Sequence, residues 1–414
     1  MSTDEGFPTQ TSEEQKAVEM EVLRIYARAL NDPNFSSDTH LVLRREAHIE
    51  FLLRGLTEPL KPSYISLEAS QPWIAFWILH SLDLLGQRDL FMGSMSDNVI
   101  SLISASQHPT GGFGGGPYQI PHLATTYAAV SALVCIGTPE ALSVIDRPKL
   151  RRFIESMKDE QTGGFRMHEG GETDVRGTYC AIAVASLVQI LDNTLTEGVG
   201  DYVRRCQTYE GGIAGEPGME AHGGYSYCGL AALAIMGEVE NFIDISAFTD
   251  WLCRRQMALE GGFNGRANKL VDSCYTFWQG ASFPILADLE RLKGARKAPV
   301  MFSVELAQMY VVLACQTDQT GGLRDKPGKP CDFYHTCYAL SGLAALQHPT
   351  NDLRQRIVIG NESVNLLERN CVLYNNTIAR VDFARDFFNN QPQLGTEGKG
   401  AVAVYALAHH LSSH

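Results

Sequence analysis

The feature that most constrains the fold of this chain is an internal repeat of about fifty residues. Five times a glutamine is followed within a few residues by a Gly-Gly pair, as in QHPTGGF, QTGGF and QTYEGGI. The first glycines of the pairs stand at positions 111, 163, 211, 261 and 321, so successive copies are 52, 48, 50 and 60 residues apart. Such a period indicates one supersecondary unit per copy, with the apolar faces of neighbouring units buried against each other.

Each copy carries two helical patterns. The segment after the Gly-Gly pair, such as LATTYAAVSALVCIG, is apolar or small on nearly all sides and predicts a buried helix. The segment before the next glutamine, such as PKLRRFIESMKDEQ, has one apolar and one charged face and predicts an outer helix. Alternating strand patterns are scarce, so the chain is predicted to be all-α, with an inner and an outer helix per repeat.

An array of this kind is arranged either as an open superhelix or as a ring of inner helices surrounded by outer ones. The inner segments are rich in small residues and flanked by aromatic ones, which favours the closed α-α barrel. Segments beginning at Pro72 and Gly400 bring the candidate inner helices to seven, give or take one. Residues 1–60 are expected to be an appendage with helices from near Ser12 and around 41–56, and residues 61–414 a single barrel domain with an insertion near 350–395.

Composition narrows the classes of function. No apolar run in the 414 residues approaches the roughly 20 that a membrane helix needs. The formal net charge of −13 disfavours nucleic acid as a partner, because binding there depends on basic side chains. The polar start MSTDEGFPTQ resembles no targeting segment, which predicts a cytoplasmic location, and the 10 cysteines without CxxC pairs are predicted to be reduced thiols.

Aligning the repeats on the second glycine of each pair reveals polar residues at one depth of the predicted barrel. Equivalent positions of successive repeats lie at one end of a barrel, so these side chains are expected to converge on one cavity. They follow the second glycine by twelve or thirteen residues and are Thr125, Arg176, Tyr225, the pair Cys274 and Tyr275, and His335.

Within this set, Asp272 and Cys274 of VDSCYTFW and His335 of DFYHTCY form a candidate zinc site. One carboxylate, one thiolate and one imidazole suit a tetrahedral zinc with an open fourth position, as in catalytic sites. Positions i and i+2 lie about 200° apart on a helix, so Asp272 must stand in the turn before the helix if both bind. A structural cysteine, a helix-capping aspartate and an unrelated hydrogen-bonded histidine are the alternative explanation.

Two further sets of residues are candidates for binding an amphipathic ligand. A basic set with one phenol is suited to clamp a diphosphate, although a solvated basic loop is the alternative; it comprises His222, Arg266, Lys269 and Tyr275. An aromatic set is suited to line an apolar tunnel, although ordinary core packing is the alternative for each member; it comprises Trp73, Trp77, Tyr127, Tyr179, Tyr225, Trp278, Tyr334 and Tyr338.

Several long blocks, in order, resemble the β subunits of protein prenyltransferases. PWIAFWILHSLDLLG, PGMEAHGGYSYCGLAAL, GGFNGRANKLVDSCYTFWQ and DKPGKPCDFYHTCYALSGL carry the resemblance, which extends over roughly residues 53–346. It implies an α-α barrel that works as an obligate heterodimer with a helical-repeat α subunit, and a zinc ion bound by Asp272, Cys274 and His335.

The resemblance also implies roles for the other candidates. The isoprenoid diphosphate would be held by His222, Arg266, Lys269 and Tyr275. Its hydrocarbon would lie along Arg176, Tyr179, Tyr225, Cys228 and Trp278. The C-terminal peptide of a protein substrate would lie near Trp73, Trp77, His122 and Tyr334. The implied reaction is transfer of a prenyl group to a cysteine of a C-terminal CaaX motif, in proteins such as small GTPases.

Three residues indicate which prenyl group is transferred. Trp73 and Tyr338 are bulky where geranylgeranyl-transferring relatives leave room for another isoprene unit, and Asp325 resembles the aspartate that helps to bind magnesium in farnesyl-transferring members. A farnesyl donor is therefore expected, with a geranylgeranyl-transferring member as the alternative. A terpene cyclase is a rival class, but the chain has no Asp-Asp pair such as its DDxxD motif requires; a non-catalytic helical scaffold is the remaining rival.

Overall fold

The computed structural model describes residues 7–292, 301–317, 320–348, 356–392 and 394. Its helices, in chain order, are α1 (Gln10–Leu30), α2 (Ser37–His40), α3 (Arg45–Thr57), α4 (Gln71–Leu84), α5 (Ser94–Ser106), α6 (Leu123–Ile136), α7 (Pro139–Ser143), α8 (Arg147–Met157), α9 (Val175–Leu187), α10 (Asn193–Thr196), α11 (Val199–Cys206), α12 (Gly223–Met236), α13 (Val239–Phe242), α14 (Ile245–Cys253), α15 (Tyr275–Trp278), α16 (Ser282–Leu292), α17 (Val304–Met309), α18 (Phe333–Gln347), α19 (Glu362–Asn365) and α20 (Ile378–Asn389).

Short strands and irregular helical turns complete the described elements. The strands form three separate antiparallel pairs: β1 (Phe165–Arg166) with β2 (Thr173–Asp174), β3 (Leu323–Arg324) with β4 (Cys331–Asp332), and β5 (Asn370–Cys371) with β6 (Asn376–Thr377). Two 3₁₀ segments span Pro62–Ser70 and Arg88–Phe91, and a π turn spans Tyr310–Ala314. None of the described helices is long and apolar enough to cross a membrane.

The inner helices form a closed ring. Helices α4, α6, α9, α12, α15 and α18 pack side by side in this order, and α18 returns to pack against α4. Their residues are buried almost throughout, because these segments are apolar or small on all sides. The predicted α-α barrel is confirmed, and the open superhelix was the wrong alternative. The seventh candidate inner segment, from Gly400, lies outside the described residues.

In the third and fourth repeats the glutamine and the Gly-Gly pair hold the unit to the next outer helix. In the second repeat Lys158, not Gln161, takes the place of the glutamine and donates to the carbonyls of Gly163 and Leu195. Gln207 Nε2 donates to the carbonyls of Gly211 and Asp244, while its Oε1 accepts from the Asp244 N–H at the start of α14. Gly211 has φ 102°, and a Cβ there would stand 2.1 Å from the carbonyl oxygen of Ala247. Glycine is required because the backbone conformation is left-handed and the neighbouring helix is in contact.

The last repeat is fastened in the same way to a helix from the start of the chain. Gln316 Nε2 donates to the carbonyl of Val42, and its Oε1 accepts from the N–H of Arg44 and lies 2.8 Å from His48 Nε2. Helix α3 therefore occupies the place of an outer helix beside α4 and completes the outer layer. The domain boundary near residue 60 and the insertion near 350–395 stay predictions.

A turn at residues 370–377, which we call the floor turn, joins β5 to β6 and crosses the barrel interior. The Tyr127 hydroxyl donates to the carbonyl of Tyr374, and the Tyr227 hydroxyl donates to that of Val372, both at 2.7 Å. Further hydrogen bonds join the turn to α4, α6, α9 and α18. The partners of the turn on these helices are His80, Asp83, Ser131, Tyr179 and Ser341. The floor turn thus contacts five inner helices and closes the end of the barrel at which they finish.

Candidate active site

Asp272, Cys274 and His335 meet at the end of the barrel where the inner helices begin. One ligand atom from each lies within 4.8 Å of the other two, and Asp272 Oδ1 is 3.5 Å from His335 Nε2. The Cys274 side chain is buried, and the other two are partly exposed. The chemistry of this donor set and its spread fit a zinc ion with three protein ligands and a free position.

Local structure explains how residues two apart reach the same point. Cys274 is the N-cap of α15, so Asp272 stands in the turn before the helix, as the spacing requires. Its carboxylate accepts a hydrogen bond from the Cys274 N–H at 2.8 Å. His335 lies in the first turn of α18, where Asp332 is the N-cap and accepts from both the His335 N–H and Nδ1 at 2.7 Å. A carboxylate behind an imidazole fixes its orientation and its tautomer.

The pKa shifts of Cys274 and His335 follow from burial and from the carboxylates beside them. Burial, followed by the charge of Asp272, raises the pKa of the Cys274 thiol well above its usual value. Burial alone would lower the pKa of His335, but hydrogen bonds to Asp272 and Asp332 outweigh it and raise the pKa to about 10. A positive charge among the three side chains would reverse both shifts by favouring the thiolate and the neutral imidazole.

A cavity of about 810 Å³ opens beside this cluster and contains most of the predicted diphosphate clamp. Its lining includes His222, Arg266 and Tyr275, and His222 Nε2 is 2.9 Å from the Tyr275 hydroxyl. Nδ1 of His222 accepts from the Gly224 N–H, so the proton of the neutral ring is on Nε2. Burial, with the charge of Arg266, lowers the pKa of His222 and keeps this ring neutral. Lys269 is exposed and does not line this cavity.

Aromatic side chains surround the barrel interior in a closed circle. Neighbouring ring centroids are between 4.4 and 5.8 Å apart, and the Trp278 indole N–H donates to the Tyr334 hydroxyl at 3.1 Å. In order around the circle the rings are those of Trp73, Tyr127, Tyr179, Tyr227, Trp278, Tyr338, Tyr334 and Trp77. Trp278 and Tyr334 of this aromatic circle also line the cavity, so the circle lies directly next to it.

Known proteins match this chain over most of its length. The model of the prenyltransferase alpha-alpha toroid domain matches residues 43–373. The β subunit of protein farnesyltransferase from Arabidopsis thaliana is 40% identical, with 92% of this chain and 90% of the relative covered. This chain belongs to the protein farnesyltransferase β-subunit family. The β subunit of type-1 geranylgeranyl transferase from Arabidopsis thaliana is more distant, at 30% identity over 76% of this chain and 86% of the relative.

Family membership confirms the prediction of a prenyltransferase subunit and excludes the scaffold and terpene-cyclase alternatives. A solved structure, that of Candida albicans protein geranylgeranyltransferase-I complexed with GGPP, is similar with a TM-score of 0.68. It is 22% identical and covers 84% of this chain and 99% of its own, which supports the α-α barrel fold.

Several predicted residues lie around the cluster rather than in it. Arg176 and Tyr225 are at the mouth of the cavity, with the guanidinium 5.5 Å from the phenol ring centroid. The Thr125 hydroxyl donates to the carbonyl of Phe113 at 2.8 Å, so it stabilises its own Gly-Gly loop. His122 is the N-cap of α6 and accepts from Ala124. The Asp325 carboxylate pairs with Lys326 next to the cluster. The backbone carbonyl of Asp325 accepts a hydrogen bond from the Ser273 N–H.

Two site residues were missed in the sequence. Tyr227, rather than Tyr225, occupies the aromatic circle on α12. It follows the second glycine of its repeat by fifteen residues, as Tyr127 and Tyr179 do, so the repeat register contained the signal. Asp332, the partner of His335 Nδ1, was missed because its role depends on a hydrogen bond that no residue pattern identifies.

Proposed function

We propose that this chain is the β subunit of a zinc-dependent protein farnesyltransferase. The proposed reaction transfers the farnesyl group of farnesyl diphosphate to a cysteine near the C terminus of a target protein, in a CaaX motif. The convergence of Asp272, Cys274 and His335 beside a cavity lined in part by arginine and aromatic side chains carries this proposal. An α subunit as obligate partner and a cytoplasmic location are part of it.

The chain's own residues account for the binding and polarisation of a prenyl diphosphate. Asp272, Cys274 and His335 would hold the metal, and a bound zinc would supply the charge that stabilises the thiolate of the incoming cysteine. The guanidinium of Arg266 and the polar hydrogens of His222 and Tyr275 stabilise the charge that grows on the departing diphosphate. A carbon–sulfur bond forms at C1 of the prenyl chain, the C1–oxygen bond breaks, and the diphosphate leaves with its electron pair.

The aromatic circle and Asp325 support farnesyl as the transferred group. Trp73 and Tyr338 both stand in the aromatic circle, which narrows the space for a longer hydrocarbon. The carboxylate of Asp325 is a suitable ligand for magnesium. It is paired with the ammonium group of Lys326, which a magnesium ion arriving with the diphosphate would displace. Magnesium binding at Asp325 is therefore proposed for the complex with diphosphate.

The test is to purify the chain with its α partner, measure bound metal by mass spectrometry, and assay a CaaX peptide with farnesyl and geranylgeranyl diphosphate. We expect about one zinc per β subunit and transfer that is faster with farnesyl diphosphate. Preference for the longer diphosphate would overturn the assignment of the donor. A purified active complex without bound zinc would overturn the assignment of the metal.

A further inference from the structure

Carboxylates outnumber guanidinium groups in the cavity proposed to receive the diphosphate. An anionic ligand is repelled by such an excess unless the carboxylates are neutralised or move. The four acidic residues that line it are Glu172, Asp174, Glu216 and Glu220, and the two arginines are Arg176 and Arg266. Both arginines already pair with carboxylates of the chain, so a diphosphate has to compete for them.

The pair formed by Arg176 is fixed. Asp174 is buried, is the N-cap of α9 and accepts hydrogen bonds from the backbone N–H groups of Arg176 and Gly177. Its Oδ2 also accepts from Arg176 Nε at 3.0 Å and Nη2 at 2.5 Å. Withdrawing this carboxylate would uncap the helix and leave a buried charge, so Arg176 keeps its partner.

The pair formed by Arg266 can exchange. Arg266 Nη1 donates to Glu220 Oε2 at 2.6 Å, and the two side chains are 39% and 47% exposed. Glu220 lies in the loop before α12 and caps no helix. In the part of the chain that the structure describes, no other hydrogen bond of its carboxylate is recorded. Exposed pairs of this kind are held by little free energy, so Glu220 can turn into solvent.

We propose that Glu220 is an exchangeable counter-ion of Arg266 that tunes the affinity of the site for diphosphate. The carboxylate neutralises Arg266 before the diphosphate binds, gives up the guanidinium to a phosphate group, and returns to it as the diphosphate product departs. Glu220 therefore weakens diphosphate binding and assists product release. This inference rests on the proposed function, because it takes the cavity to be the diphosphate site.

The experiment measures binding of inorganic pyrophosphate to the full chain in complex with its α partner, by calorimetry at low and at physiological salt. We expect Glu220→Gln, which keeps the size and a neutral acceptor, to tighten binding about three- to tenfold, and more at low salt. Glu216→Gln is the matched control, because it removes the same charge from the same cavity without breaking an ion pair that the structure records. We expect it to change binding less than about twofold.

A double-mutant cycle separates this inference from the proposed function. In a variant that already carries Arg266→Gln, Glu220→Gln should have little further effect, whereas Glu220→Asp in the natural background should bind much as the natural chain does. The role of Glu220 would be overturned, with the diphosphate site left standing, by either of two results. One is that Glu216→Gln and Glu220→Gln tighten binding equally. The other is that Glu220→Gln does not tighten binding although Arg266→Gln weakens it. If the natural complex binds no pyrophosphate, or Arg266→Gln has no effect, the diphosphate site itself is misassigned and both proposals fail.

Discussion

The two ends of the barrel use polar side chains in opposite ways. Where the inner helices begin, the side chains of Asp272, His335 and Arg266 are charged or titratable and remain 22%, 18% and 39% exposed beside a cavity. Deeper in the barrel, at the floor turn, the hydroxyls of Tyr127 and Tyr227 are neutral, buried and bonded to backbone carbonyls. The same repeat therefore supplies one end that receives ligands and one end that is sealed.

The difference shows how function and stability are divided along each inner helix. At the end that carries the metal cluster, Arg266 pairs with a carboxylate that a ligand can replace, that of Glu220. At the floor turn, each tyrosine hydroxyl donates to a buried backbone carbonyl, and removal of the hydroxyl leaves that carbonyl without its donor. Substitutions at the open end should therefore alter binding and rate, and those at the floor should alter the free energy of unfolding.

The largest effect is expected for Cys274→Ala at the open end. Removing the thiolate ligand should abolish stoichiometric zinc and lower the rate of transfer about a thousandfold, because the incoming cysteine loses the charge that ionises it. Metal analysis and single-turnover assays on the same preparation measure the two quantities. Cys228→Ala removes a buried thiol outside the metal cluster and should retain zinc. Full zinc content in Cys274→Ala would contradict the assignment of the ligands.

A smaller loss of metal affinity is expected for Asp332→Asn. The carboxylate that orients His335 becomes an amide, which still accepts the backbone hydrogen bond that caps α18. Zinc affinity should fall about ten- to a hundredfold with little change in melting temperature. Competition with a chelator of known affinity measures the change. A large loss of stability with unchanged zinc affinity would mean that Asp332 acts as a helix cap alone.

At the floor, His80 should make stability depend on pH. Burial lowers the pKa of His80 to about 3, although its hydrogen bond to Asn375 opposes the shift. In the unfolded chain this histidine binds a proton near pH 6.5, whereas in the folded chain it stays neutral down to about pH 3. The free energy of unfolding is therefore unaffected above pH 6.5 and falls as the pH decreases towards 3. The loss should be about 2 kcal/mol at pH 5. Denaturant unfolding of His80→Gln between pH 7 and 5 should show this much less acid destabilisation. An unchanged pH dependence would refute the account.

The smallest effect is expected for Tyr227→Phe, which removes one hydroxyl and leaves the carbonyl of Val372 without this donor. The free energy of unfolding should fall by about 1 kcal/mol, the usual net contribution of one hydrogen bond. Zinc content should stay at the natural level, because the ring remains in the aromatic circle. Thermal unfolding checks the first expectation and metal analysis the second. Loss of zinc in this variant would mean that the two ends are coupled.

The sequence predicted what the repeat dictates. The Gly-Gly register identified the ring of inner helices and brought together Asp272, Cys274 and His335, because equivalent positions of a repeat lie at one depth of a barrel. Tyr225 was also predicted for the aromatic set, but it follows its Gly-Gly pair by thirteen residues and lies at the depth of Cys274 and His335. Two residues further along α12, Tyr227 is the one that faces the interior.

The floor turn could not be predicted, because nothing in its sequence repeats. Its hydrogen bonds join residues up to 295 positions apart, and Tyr127 and Tyr374 are 247 positions apart. Local periodicity carries no information on such pairs. The place of α3 in the outer layer escaped for the same reason, since Gln316 reaches it across some 270 residues. The exchangeable partner of Arg266 was also invisible, because its pairing with Glu220 depends on two irregular loops.

The position of the floor turn late in the chain affects how the protein folds during synthesis on the ribosome. Tyrosines from α6, α9 and α12 are synthesised long before the carbonyls at residues 372–374 that accept their hydrogen bonds. Until residues 370–377 leave the ribosome, the inner helices lack the floor turn and expose apolar surface. Exposed apolar surface makes incomplete chains prone to aggregate. We expect a chain that stops before residue 370 to aggregate, because its inner helices lack the turn that accepts these hydrogen bonds.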